Sequence, residues 1–274
     1  ILTFVMMAIE IGGGLIFNSM ALLADGWHMG THAGALGITV YAYAYARKHA
    51  DNPRYTFGTG KVASLGGYTS AIVLGGVALI MVVQSVHRLL SPEPIRFNEA
   101  IGIAIIGFIV NLVSAWLLGE KHGDHNIRAA YLHVVADALT SILAIIALFS
   151  GKFFGWVWMD PLMGIAGSLV IGYWAMGLMK ETGALLLDGN TDPDLVERIR
   201  KAVESEPDNA VVDLHVWHLG TGGVGVILSV VTHHIRRAEY YREILSRFRE
   251  VAHVSVEIHH CEGTICDLPP PGRP

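Results

Sequence analysis

Apolar residues fill the first two thirds of the chain in six runs separated by short polar breaks. The first extends from residue 1 to about Phe17, where Asn18-Ser19 marks a tight turn into a second that closes at Arg47-Lys48-His49. The polar loop from Asp51 to Gly60 leads into a third, Lys61 to about Leu90, which Ser91-Pro92-Glu93-Pro94 breaks. A fourth covers roughly Asn98 to Leu118, and a polar loop from Glu120 to Arg128 leads into a fifth, Ala129 to about Ser150. The Gly- and aromatic-rich link 151–158 has the composition of a membrane interface. Asp160-Pro161 then opens a sixth run that ends near Lys180, with proline where a helix's first turn tolerates it. Each run can cross about 30 Å of hydrocarbon, so the pattern predicts six transmembrane helices.

From Asp188 the period changes. Thr191 to Val203 has a capping residue, a proline just inside and apolar residues at helical spacing. Val211 to Leu219 and Gly225 to Thr232 are β-rich runs around Gly220-Thr221-Gly222-Gly223, a hairpin signal. A second helix, about Glu239 to Glu250, and a last strand, His253 to His260, complete an α-β-β-α-β order that predicts a small ferredoxin-like α/β domain. The expected division is therefore 1–187 membrane domain, 188–262 cytosolic domain and 263–274 tail.

Composition agrees with this pattern. Of 274 residues, 52% are hydrophobic and 16% charged, which is membrane-protein usage. A net charge of −5 without a basic stripe excludes a nucleic-acid binder. The two cysteines, Cys261 and Cys266, lie together near the C-terminus, so no disulfide framework organises the chain and a reduced compartment is expected there. The chain opens inside an apolar run without an initiator methionine, and a preceding N-terminal segment is expected. Arg47, Lys48, Arg54, Lys61, Lys121, Arg128 and Lys180 outnumber Arg88, Arg96 and Lys152 on the opposite side, which assigns the even-to-odd loops and the C-terminal domain to the cytoplasm.

Two polar pairs interrupt the apolar runs. His28 and His32 are four apart in the second, and His133 and Asp137 are four apart in the fifth. On a helix such residues share one face. Ionisable groups at bilayer depth are costly and face a pathway or a site rather than lipid. A lone intramembrane histidine is commonly a helix-helix hydrogen bonder; two matched pairs on separate spans fit that reading poorly. Three imidazoles and one carboxylate are the donor set for a tetrahedral divalent transition metal. A membrane di-iron oxidase built from histidine boxes is the rival of another class. It needs several such boxes at one membrane face, and here the second cluster is a His/Asp pair within a span.

The stretches Asn18-Ser-Met-Ala-Leu-Leu-Ala-Asp-Gly-Trp-His-Met, Tyr55-Thr-Phe-Gly-Thr-Gly-Lys61, His133-Val-Val-Ala-Asp137 and Val212-Asp-Leu-His-Val-Trp217 resemble the cation diffusion facilitator family. The resemblance covers essentially the whole chain. It implies a homodimeric, non-enzymatic exporter in a membrane, expected to be the bacterial inner membrane, that exchanges divalent metal for protons without a cofactor. It also carries the transport site onto His28, His32, His133 and Asp137. Most zinc exporters of the family have Asp where His32 stands; the His-x-x-x-His form and Asp124-His-Asn-Ile-Arg-Ala-Ala-Tyr-Leu-His133 look like the DmeF-like cobalt and nickel branch, with a zinc-selective exporter as the alternative. Asp25, one turn before His28, reads as a supporting or proton-handling group. Lys61 and Asp188 match a charge pair that clamps the membrane and cytosolic parts across the dimer. The family's cytosolic metal ligands fall on His259 and Cys261, while His215, His233, His234, His260 and Cys266 are candidates by residue type alone. The 2–3 loop reads Asn52, Tyr55 and Thr59 where some members hold another metal, so that site is expected to be absent. His122 and His125 would be a remnant of the family's His-rich loop.

Overall fold

The computed structural model describes residues 2–119, 125–189, 192–206, 208–220 and 223–263, with the side chains of 2, 3, 32, 33, 35, 115, 117–119 and 125–136 outside that description. His122, the tail from 264 and the His32 and His133 side chains therefore lie outside the described residues.

Six helices come first: α1 (Leu2–Ile16), α2 (Met20–Lys48), α3 (Val62–Leu90), α4 (Phe97–Gly119), α5 (His125–Phe154) and α6 (Met159–Leu186). Four stretches among the described residues, within α3, α4, α5 and α6, are long and apolar enough to cross a membrane, and Phe4–Ile16 is a shorter apolar helix. Large side chains such as Leu79, Ile80, Ile106, Leu169 and Tyr173 are exposed along these helices. Such outward apolar surface is at home in lipid rather than in water.

The chain divides into two compact units, residues 1–39 with 69–179, and residues 40–68 with 180–274. In the first unit α4 packs against α1 and α5. Leu22, Ala100, Ile101, Ala104 and Leu148 form a buried cluster there. Small residues bring α1 and α2 together, because a Cβ on Gly14 would lie 2.8 Å from the Leu23 backbone and one on Gly26 would lie 2.8 Å from the Ile11 nitrogen. Close backbone approach through glycine is how helices associate where water supplies no driving force. The turn between them uses Asn18 at φ 58°, a left-handed position that asparagine tolerates.

The start of α2 is fixed from a distance. Asp160, in the first turn of α6, accepts from Ser19 Oγ at 2.7 Å, the Met20 nitrogen at 2.7 Å and the Ala21 nitrogen at 3.1 Å. Ser19 Oγ in turn accepts from the Leu22 nitrogen at 3.1 Å. The N–H groups that a helix start leaves orphaned are thus met by a carboxylate, with the sign the helix dipole favours.

The second unit carries α7 (Pro193–Glu204), β1 (Ala210–His218), β2 (Val224–Thr232), α8 (Ala238–Leu245) and β3 (Val251–His260) in the expected α-β-β-α-β order. The sheet order is β1-β2-β3. β1 runs antiparallel to β2, as the hairpin signal required, and β2 runs parallel to β3. Among the described residues no strand precedes α7, so β2 and β3 pair directly. α7 is capped by Asp192, whose side chain accepts from the Leu195 nitrogen, with Pro193 in the first turn. Leu195, Ile199 and Val203 of α7 and Tyr241, Ile244 and Leu245 of α8 close over Val224, Val226, Leu228 and Val230 of β2.

Candidate metal transport site

α2 and α5 carry the paired motifs, and the structure brings one member of each together. Nε2 of His28 lies 3.0 Å from Oδ1 of Asp137, and both residues are buried. The backbone places His32 and His133 in α2 and α5, each one turn from its partner residue on the same helix.

Around this pair the polar contacts are directional. Asp25 accepts from Thr140 Oγ1 at 2.8 Å and from Ser141 Oγ at 2.6 Å. Asn111 Nδ2 of α4 donates to Ser141 Oγ at 3.3 Å. A serine hydroxyl carries one proton, so Asn111 leaves it free to point that proton at Asp25. Thr31 Oγ1 donates to the His28 carbonyl at 2.7 Å, and the His28 ring lies 5.2 Å from the ring of Trp174 on α6. Thr140 and Ser141 were missed as candidates by sequence reasoning, although they follow Asp137 at positions i+3 and i+4 and so share its helix face. Nothing in the sequence spacing marked Asn111 or Trp174.

The His28–Asp137 spacing suits a metal. Bonds of about 2.0–2.1 Å to nitrogen and 2.0–2.2 Å to oxygen at a tetrahedral angle separate the two donors by about 3.3–3.5 Å. The observed 3.0 Å needs only a few tenths of an ångström of widening.

In the second unit, Lys61 Nζ donates to Asp188 Oδ1 within a single chain. The pair lies at a cavity of about 700 Å³ lined also by Phe57, Leu214, Trp217 and Leu219. Asp188 takes φ 58°. Phe57 stands edge-on to Trp217 and to His253, so the loop before α3 is anchored by aromatic contacts as well as by charge.

The candidates in the second unit are scattered. His215 is exposed on β1, with Nε2 3.1 Å from Asp213 Oδ2. It pairs with Ile227, whereas His259 pairs with Val231; four positions along β2 amount to about 13 Å. His233 Nδ1 pairs with Asp208 Oδ1, and its Nε2 lies 2.9 Å from the Gly263 carbonyl. The bond from His233 holds the Asp208 carboxyl down at about 2, and the same bond raises the His233 imidazole above its ordinary range. Cys261 is buried just past β3 and, against the reduced state expected at this end of the chain, is disulfide-bonded, so as it stands it offers no thiolate. Among the described residues no three His, Cys, Asp or Glu side chains gather closely enough to hold a metal. Of the four candidates on α2 and α5, His32 and His133 have side chains outside that set.

The family model described as the cation efflux transmembrane domain matches residues 1–187. The chain belongs to the cation diffusion facilitator family. It is 31% identical over 271 residues to the zinc transporter ZitB of Escherichia coli, covering 96% of this chain and 86% of that protein. It is 32% identical over 220 residues to the cadmium, cobalt and zinc/H(+)-K(+) antiporter of Bacillus subtilis, covering 79% of this chain and 70% of that one. With the metal cation efflux system protein CzcD of Cupriavidus metallidurans the identity is 30% over 266 residues, 92% of this chain and 83% of that protein. The chain is therefore a membrane protein of a cation efflux family.

Proposed function

We propose that the chain exports divalent transition metal from the cytoplasm in exchange for protons, with cobalt and nickel favoured, through one site made by His28, His32, His133 and Asp137. The observation that carries this reading is the buried 3.0 Å approach of His28 Nε2 and Asp137 Oδ1 between α2 and α5. In this reading all six helices cross the bilayer, the α/β unit is cytoplasmic and ferredoxin-like, and two copies form a dimer in the bacterial inner membrane.

The mechanism follows from the donors. Imidazole with an ordinary pKa near 6.5 binds metal when neutral and takes a proton near physiological pH. Facing inward, a dication displaces protons from the nitrogen and carboxylate donors, since both bind metal only when deprotonated. Facing outward, protons compete for the same atoms and the metal leaves. Asp137 alone half-neutralises a dication, so the ion is held without being trapped. Asp25, fixed by Thr140 and Ser141, places a second carboxyl one turn from His28. Asp188 with Lys61 ties the α2–α3 loop to the end of α6, and His259, Cys261, His215 and His233 remain the donors from which any cytosolic metal site would be drawn. Reduction of the Cys261 disulfide would be required before that residue took part.

Selectivity is assigned to position 32. Histidine there offers three nitrogens and one oxygen, which suits cobalt, nickel and zinc over manganese and magnesium. A zinc-selective exporter is the second reading, supported by the likeness to ZitB over 96% of the chain. Proteoliposomes loaded with a metal indicator and a pH dye separate the two. We expect cobalt to move faster than zinc with counter-flow of protons, Asp137→Ala to abolish uptake, and His32→Asp to shift the ranking toward zinc. Faster zinc than cobalt in the unaltered protein withdraws the cobalt and nickel assignment; undiminished uptake in Asp137→Ala removes the site itself.

A further inference from the structure

Glu10 is the only acidic residue of α1, and its side chain is wholly buried. Neither Oε1 nor Oε2 meets a hydrogen-bond donor among the described residues. Both neighbouring helices make room for it with glycine. A Cβ on Gly26 of α2 would lie 2.9 Å from Glu10 Cβ, and one on Gly107 of α4 would lie 1.9 Å from Glu10 Oε1. The charged groups that act on it across the packing are Asp25 of α2 and Asp137 of α5, both of its own sign.

An ionised carboxylate in such a place, without donors, is among the most expensive groups a protein interior can hold. Two conditions remove the cost: a proton on the carboxyl, or a cation close by. Asp25 has two hydroxyl donors and Asp137 has the His28 imidazole. Among the described residues Glu10 has neither, so its charge depends most on whether cargo is present.

We propose that Glu10 is a proton carrier of the transport cycle, releasing its proton when the dication enters between His28 and Asp137 and regaining one when the dication leaves. This rests on the antiport reading above. On the inward side the Glu10 O–H bond breaks, the proton passes to the cytoplasmic water, and the bonding pair stays on the carboxylate. The Glu10 carboxylate then adds to the negative charge facing the metal, acting through space rather than as a ligand. On the outward side a proton from the medium reforms the O–H bond as the metal departs, so each turn moves one proton on Glu10 against one metal ion.

The test uses the full chain in proteoliposomes, with cobalt as the probe, recording metal and proton flux together. Glu10→Gln is expected to bind cobalt at the site while the protons moved per metal fall by about one. Infrared difference spectra on adding cobalt give a readout independent of transport. The carbonyl band of a neutral carboxylic acid disappears in the unaltered protein, and this loss is absent in Glu10→Gln. Gly107→Ala, which crowds Oε1, is expected to displace the same band and guards against a Gln variant that fails to assemble. Cobalt uptake with no proton flux in the unaltered protein overturns the antiport reading and this assignment with it. Coupled flux with the same ratio and the same band loss in Glu10→Gln overturns the assignment of Glu10 alone.

Discussion

Replacing Asp160 by Ala should unfold the membrane unit at markedly lower temperature without touching a metal ligand. Asp160 is buried and accepts three hydrogen bonds from the start of α2, two of them from backbone N–H groups. The alanine variant strands the Met20 and Ala21 nitrogens at roughly 1–3 kcal/mol each. Ser19 Oγ can turn toward another acceptor and still cap the Leu22 nitrogen, which limits its share. Discounting for relaxation and water entry, a loss of about 3–4 kcal/mol is expected, at the upper end of single-residue effects. Asn restores one acceptor oxygen but turns an NH2 toward a donor, so Asp160→Asn should recover less than half. The assay is thermal unfolding of detergent-solubilised protein followed by the fraction remaining monodisperse. An Asp160→Ala protein that melts with the unaltered one would refute the claim that this carboxylate fixes α2.

Three further outcomes follow from other contacts. Ser141→Ala removes the 2.6 Å donor to Asp25 and leaves Asn111 Nδ2 without its acceptor; a buried polar group left unpaired costs about 1–3 kcal/mol, so cobalt affinity by calorimetry should fall by roughly five- to a hundredfold, and unchanged affinity argues against a positioning role for Asp25. The half-exposed Lys61–Asp188 pair belongs to a class worth about 0–1 kcal/mol, so Asp188→Ala should barely move the melting point while slowing uptake, and the double variant Lys61→Asp with Asp188→Lys should restore part of the rate; no recovery would separate the two residues functionally. Asp208, held low by His233, contributes stability above its unfolded value near 4 that is lost as pH falls toward about 2, while His233, raised by Asp208, contributes below about 6.5 and loses that contribution as pH rises through its folded value. An imidazole titration by NMR should therefore place His233 above the ordinary range and bring it down in Asp208→Asn; the same midpoint in both proteins would show that the contact does not form in solution.

What the sequence made legible and what it hid divide along physical lines. The length of the apolar runs, the prolines and the polar breaks located α1 to α6 because those signals are local, and β-rich runs with a hairpin signal located β1, β2 and β3 for the same reason. His28 and Asp137 were legible because spacing of four defines a helix face, and a costly residue in an apolar run asks for a partner. Asp160 was read as the opening of α6, yet its oxygens serve α2, 139 and 140 residues earlier in the chain. No periodicity reports a contact of that separation. Asp208 was hidden likewise, since it caps the end of β2 from the loop before β1 by accepting from Thr232, His233 and His234. Glu10 was missed: it is the lone acid of the first run, but only burial against Gly26 and Gly107 distinguishes it from an interfacial side chain.

The donors around each buried acid of the membrane unit sort them by what they can do. Asp160 is met by two backbone N–H groups and a hydroxyl, all fixed to the helix they cap, so its charge is tied to the fold and has no reason to vary during a cycle. Asp25 is met by two hydroxyls whose carrier residues sit one turn from Asp137, so its charge is tied to the position of α5 against α2. Asp137 faces an imidazole that can be neutral, protonated or metal-bound, and its charge is balanced by whichever of these obtains. Glu10 faces no donor among the described residues. Passing from Asp160 to Glu10, the protein supplies progressively less of the compensation, and the transported cation or a proton must supply progressively more. A site that binds and releases a dication within one bilayer needs carboxyls at the far end of that series, since an acid fully satisfied by its own protein gains nothing from the cargo.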